Sequence, residues 1–230
     1  MDTRFNSSVT DIFRNEYLSP RSPYTTLQIP KQGIGEWCHP LHTVDINDAG
    51  LRSSVQNGIL NTELGIPFRT PAEGHNVAFT SLWDNYPDSL EIPLKGKASR
   101  AYLLMAGSTN HMQCHIDNGV IRVYYKDGSC DVMSLRNPDN WPPIEHIFFE
   151  DGLAFNRHTP ALYRLRLKTG EISNNFGEEL GFPGASRELD GGAAVLLEMP
   201  LNPGKKLSHL VLETLSNDVV IGLMSITLQR

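Results

Sequence analysis

From about Val77 the chain is a succession of short runs rich in apolar and β-branched residues, separated by Gly, Pro, Asn and Asp: "NVAFTSLW", "SLEIPL", "SRAYLLMAG", "GVIRVYY", "CDVMSLR", "LYRLRLK", "AAVLLEMPL", "LSHLVLETL" and "DVVIGLMSITLQ". No long stretch of helical period lies between them, so they predict an all-β fold, an antiparallel sandwich or barrel. "LYRLRLK" alternates apolar and basic residues, which places Arg164, Arg166 and Lys168 on a solvated sheet face. "DVVIGLMSITL" is almost continuously apolar at its start and reads as a central strand covered on both sides. Residues 1–60 read differently. Val9, Ile12, Phe13 and Tyr17 fall at helical spacing after Ser8 and before Pro20, which predicts a short amphipathic helix. The segment after it carries Pro or Gly every few residues and reads as an extension or linker wrapping on the domain. Residues 61–230 are the predicted sandwich.

Asn118-Gly119 and Asp127-Gly128 are the two strongest hairpin signals, with β-rich runs on both sides, and they predict a three-stranded meander. With two-residue turns, Met112, Cys114, Ile116, Ile121, Val123, Tyr125, Cys130 and Val132 share a core face. The opposite face then sets His111 beside Lys126 and His115 beside Arg122. The stretch "STNHMQCHIDNG" could hold a zinc ion on a helix, where His111 and His115 stand one turn apart. On a strand they are roughly 13 Å apart and point away from Cys114, so no metal or other cofactor is expected. Cys38, Cys114 and Cys130 are odd in number and at no ligand spacing. Cys114 and Cys130 are expected as buried free thiols.

Composition alters this picture little. Over 230 residues, 40% are hydrophobic and 20% charged, an ordinary globular balance. A net charge of -6 without a basic run argues against nucleic acid and anionic membranes as partners. No apolar stretch reaches the ~18 residues of a membrane span, and "MDTRFNSSVTDIF" lacks the apolar core of a signal peptide. The chain reads as a soluble fragment of a longer protein.

Nucleophile elbows, phosphate loops and dinucleotide fingerprints are absent from the sequence. Aromatic and polar residues do coincide in two loops. "SLWDNYPDS" offers Trp83, Asp84, Asn85 and Tyr86; "RNPDNWPPIEHIFFEDG" offers Asn137, Asn140, Trp141, Glu145 and Phe148. Sugar sites need flat apolar faces for ring C–H groups and fixed amides or carboxylates for hydroxyls. Trp83, Asp84, Asn85, Tyr86, Asn137, Trp141 and Glu145 are therefore the candidate carbohydrate-binding residues. The bland alternative is that both indoles plug the sandwich ends or pack against a neighbouring domain. A third reading, a small glycoside hydrolase, needs a carboxylate pair drawn from Glu145, Glu150, Asp151, Asp84 and Asp88.

"GIPFRTP" (65–71), "AFTSLWDNYPDSLEIPLKGKASRAYLLMAGSTNHM" (78–112), "LRNPDNWPPIEHIFFEDGLAF" (135–155) and "NDVVIGLMSITL" (217–228) resemble a galactose-binding-like jelly-roll module. Such modules stand at the C-terminus of large bacterial proteins that also carry glycosidase-like modules. The leader "VTDIFRNEYLSPRSPYTTLQIPKQGIGEWCHP" is similar to the segment that precedes that module. The resemblance implies a jelly-roll fold, no catalysis in this chain, an adjacent domain of a longer chain as partner, and a periplasmic or extracellular location. It assigns no ligand-contacting residue, so Trp83, Tyr86 and Trp141 rest on loop chemistry alone.

Overall fold

The computed structural model describes residues 5–15, 17–18, 44–110, 113–147, 156–175 and 188–230. Its strands are β1 Val55–Gln56, β2 Ile59–Asn61, β3 Pro67–Arg69, β4 Ala78–Ser81, β5 Ser89–Pro93, β6 Arg100–Thr109, β7 Asp117–Tyr125, β8 Cys130–Arg136, β9 Arg164–Arg166, β10 Ile172–Ser173, β11 Ala193–Pro200, β12 Leu207–Thr214 and β13 Val219–Gln229. They form a six-stranded sheet in the order β10-β9-β11-β6-β13-β4, a four-stranded sheet in the order β5-β12-β7-β8, and a small sheet of β1-β2-β3. All the strand pairs are antiparallel. The two larger sheets make the expected all-β sandwich, and Gly119 of β7 lies directly under the Ile221 side chain of β13. No helix among the described residues is long and apolar enough to cross a membrane.

β13 is paired on both edges, by β6 and β4, and its first eight residues are all buried, as its continuous apolar character predicts. β6 is similarly buried from Leu103 to Thr109. Strands buried at consecutive positions are covered on both faces. On β13 the second cover is the small sheet, where Ser225 Oγ donates to the Arg69 carbonyl at 2.9 Å and Thr227 bonds the Pro67 carbonyl. Helix α1, Ala49–Ser53, sits against the loop after β9 through Leu51 N–H to Leu167 O at 2.8 Å. Val9, Ile12, Ile46, Leu51, Leu60 and Phe68 belong to the same buried cluster as the strands. The expected helix near the N-terminus is a 3₁₀ turn, Val9–Asp11, and the Ser8 hydroxyl bonds Asp11 Oδ2 at 2.6 Å rather than capping a backbone N–H. Pro20 lies outside the described residues.

The predicted meander is corrected in two places. Asp127-Gly128 does turn the chain, but through a three-residue loop: Tyr125 N–H bonds Ser129 O at 2.9 Å, Gly128 takes φ 85°, and Tyr124 pairs with Cys130. That moves the register by one residue, and with a period of two every β8 side chain changes face. Asp131, Met133 and Leu135 accompany Val123, Ile121 and Gly119 inward, while Val132 is 57% exposed. Cys130 is exposed and Cys114 half-buried; both are free thiols, so neither is the buried core residue the meander requires. Asn118-Gly119 is no turn at all: it lies inside β7, where Gly119 pairs with Leu135 of β8 and Thr214 of β12 and Asn118 sits at a shift in register. His115 stands in the β6–β7 loop with φ 55° instead of on a strand. His111, Met112 and Cys38 lie outside the described residues. Arg164 is buried rather than solvated, its guanidinium donating to the carbonyls of His146 (2.8 Å), Pro143 (2.8 Å) and Ala193 (2.9 Å).

Candidate functional site

Strand pairing gathers the aromatic loops at one end of the sandwich. Val220 pairs with Ser81, Val219 with Thr109, Thr214 with Gly119 and Asp117 with Arg136. The β4–β5, β6–β7, β8–β9 and β12–β13 connections therefore leave from the same edge of the two sheets. In the β4–β5 loop, Tyr86 N–H bonds Trp83 O at 3.1 Å and Ser81 N–H bonds Pro87 O at 2.9 Å, folding the loop back on itself. Trp83 is 3% exposed and meets Tyr17 edge-on at 5.8 Å, so its indole face is not open to a sugar ring. Tyr86 packs on Phe79 at 5.4 Å, and burial raises its hydroxyl above the ordinary tyrosine range. That hydroxyl donates to Ser7 Oγ at 3.2 Å and accepts from Asn15 Nδ2 at 3.3 Å. Asn85 accepts from Leu18 N–H at 2.9 Å and donates to Asn15 Oδ1 at 3.3 Å. Asp84 is exposed.

Asn85 and Tyr86 form one wall of an open cleft of about 350 Å³, completed by Asn6, Ser7, Asp11, Arg14 and Asn15 of the N-terminal segment. Its lining is amide, hydroxyl, one guanidinium and one carboxylate. Arg14 reaches Asp45 at 2.5 Å and keeps most of its side chain in solvent.

The β8–β9 loop holds its aromatic residue more deeply. Trp141 is fully buried, and a Cβ placed on Gly107 would stand 2.7 Å from its Cζ2. Glycine at 107 is thus required for the ring to lie across β6. Asn140 closes the end of β8 by accepting from Arg136 N–H (2.7 Å) and donating to Ser134 O (2.9 Å). Asn137 is buried; its Nδ2 donates to Cys114 Sγ at 3.3 Å and its carbonyl accepts His115 N–H at 2.7 Å.

Glu145 is fully buried and accepts from Ser108 Oγ at 2.9 Å. Burial pushes its carboxyl up to about 7, and the Ser108 hydrogen bond and the Arg164 charge pull the other way without cancelling it. Burial likewise lowers Arg164 to about 10. Both groups are buried within the sandwich. Phe148, Glu150 and Asp151 lie outside the described residues. The structure thus brings Asn85 and Tyr86 to one cleft and leaves Trp83, Asn137, Trp141 and Glu145 inside the fold. Ser7, Asn15 and Arg14 were missed because a polar N-terminal segment carries no local sign of the distant loop it meets. Arg164 was missed because it sits in an ordinary strand alternation.

Compared with known proteins, the chain matches no family model, no curated protein and no solved structure.

Proposed function

We propose that this chain is a noncatalytic β-sandwich module of a bacterial glycan-degrading protein, and that it contacts carbohydrate through the cleft of Asn85 and Tyr86. The cleft carries the reading: its lining of amides, hydroxyls and a paired guanidinium offers donors and acceptors suited to a neutral polyol. Absence of a nucleophile motif, and a Glu145 closed off from solvent, support a module without catalysis of its own. The periplasmic or extracellular setting follows from the resemblance to glycosidase-associated modules. Burial of Trp83 and Trp141 favours a second reading, a purely structural sandwich docked on a neighbouring domain.

A glycan array followed by calorimetry tests the choice. Arg14→Ala and Asn85→Ala abolish binding and leave the melting temperature nearly unchanged, because both act at the cleft. Trp83→Ala instead costs roughly 3 to 5 kcal/mol of stability by emptying a packed site. A wild-type chain that binds no glycan on the array sinks the carbohydrate reading and leaves the structural one.

A further inference from the structure

Two loops at the same end of the sandwich, β6–β7 and β8–β9, bring together two imidazoles and a carboxylate that are far apart in sequence. His115 Nδ1 stands 3.9 Å from Asp139 Oδ2, His158 Nδ1 stands 3.5 Å from Asp139 Oδ1, and the two rings are 4.7 Å apart between centroids. One ligating atom from each residue falls within 4.8 Å of the others. Neither ring sits at the 2.7–3.2 Å of an ordinary N–H···O hydrogen bond. Two imidazoles converge on one carboxylate, one to each oxygen, and stop short of it.

Their backbones are held by hydrogen bonds within and around the cluster. His115 takes φ 55° and its N–H bonds Asn137 O at 2.7 Å. Asp139 accepts His158 N–H on Oδ1 at 2.7 Å, and its carbonyl accepts the Thr159 hydroxyl at 2.7 Å. Arg136, the nearby cation, directs its Nε to Asp117 at 2.5 Å rather than to Asp139. The carboxylate is therefore left facing the imidazoles.

We propose that His115, Asp139 and His158 form a binding site for a borderline divalent transition ion of the zinc class. Zinc takes neutral imidazole nitrogen and carboxylate oxygen at about 2.0–2.2 Å, which separates tetrahedral ligand atoms by roughly 3.4 Å. The widest pair of ligand atoms, within 4.8 Å, needs to close by up to about 1.4 Å, a shift shared between two side chains turning within their rotamer wells. Imidazole ligands select against calcium and magnesium, which prefer oxygen. Side-chain exposures of 31% for His115, 14% for Asp139 and 64% for His158 leave a coordination position open to water or to a ligand oxygen. The ion ties the β6–β7 loop to two parts of the β8–β9 connection.

The test uses the whole chain, stripped of metal by chelator dialysis. Calorimetry with zinc chloride gives one equivalent bound, cobalt(II) gives visible d–d bands of a four- or five-coordinate ion, and saturating zinc raises the melting temperature by several degrees. His158→Ala, at a mostly exposed position, weakens zinc on the order of 100-fold or more without lowering the melting temperature of the metal-free protein. Asp139→Asn weakens it similarly, and His75→Ala, at an exposed histidine elsewhere, leaves it unchanged. Failure of the wild type to bind one equivalent overturns the site. So does a His158→Ala change below tenfold, or loss of binding in His75→Ala.

Discussion

Asn118-Gly119 and Asp127-Gly128 sit at opposite ends of β7 and do opposite things. At the turn end, Gly128 takes φ 85° with open space around its Cα, and Asp127 Oδ1 accepts Ser129 N–H at 3.0 Å while its other oxygen meets Lys205 at 3.0 Å. At the loop end, Asn118 is fully buried. Its amide donates to the carbonyls of Gln113 (3.0 Å) and Ile116 (3.1 Å) and accepts the Thr109 hydroxyl. A Cβ on Gly119 would lie 2.7 Å from Glu213 O and 2.2 Å from Ile221 Cδ1. One glycine is needed for its backbone freedom, the other because a strand and the facing sheet approach it closely. An Asx-Gly pair reports a permissive backbone and a compact polar side chain. Its surroundings decide which of the two is used.

The largest effect tests the register that the turn end imposes. Val123 is fully buried and pairs with Asp131, whereas Val132 pairs with Arg122 and faces solvent. Val123→Asp is expected to cost well over 4 kcal/mol, or to prevent soluble expression, by burying an unpaired charge. Val132→Asp changes stability by about 0.5 kcal/mol or less. Urea denaturation of the pair checks this, and a Val132→Asp loss as large as that of Val123→Asp restores the two-residue turn.

Next comes the contrast between the two dipeptides. Asn118→Ala removes the amide partner of the buried Thr109 hydroxyl and of two partly buried carbonyls, with a loss on the order of 2 to 3 kcal/mol. Gly128→Ala at the open turn costs only about 1 kcal/mol, the strain of a left-handed residue. Equal losses in denaturant midpoints would remove the distinction between the ends.

The third is a pH effect, seated in the loop-end half through Glu145. Its carboxyl titrates at about 7 when folded, against an ordinary 4.5, so between those values the folded state keeps a proton that the unfolded state has lost. Its stabilising contribution is complete below about pH 4.5 and is lost as pH rises toward 7, on the order of 3 kcal/mol in total. Arg164, at about 10, stays charged through this window and adds no slope. Burial also raises Asp218 to about 6, so Glu145→Gln is expected to leave a smaller slope below about pH 6 and to flatten the profile between about pH 6 and 7. An undiminished slope between about pH 6 and 7 in the variant assigns the titration to another group.

Much of the fold is legible in the amino-acid order. Alternation marks most of β12 and the second half of β7, and the continuous apolar runs of β6, β11 and the start of β13 announce strands covered on both faces. Asn85 and Tyr86 were visible as loop residues with sugar-compatible chemistry. Their cleft was not, because its other wall is built by Asn6, Ser7, Asp11, Arg14 and Asn15. The aromatic character of Trp83 and Trp141 was equally plain, but an indole on a surface loop and one wedged over a glycine share the same local sequence.

Sequence alone therefore determined the class of the fold, because alternation and turn residues are properties of a few neighbouring positions. Tertiary structure decided the rest, because each outcome depended on a partner that local pattern does not name. One extra loop residue at Lys126 to Gly128 reversed the faces of β8. Arg164 became an interior donor once the Pro143, His146 and Ala193 carbonyls surrounded it. His115 stands beside Asp139 and His158, residues far along the chain, since contact between loops is set by where the sheets end.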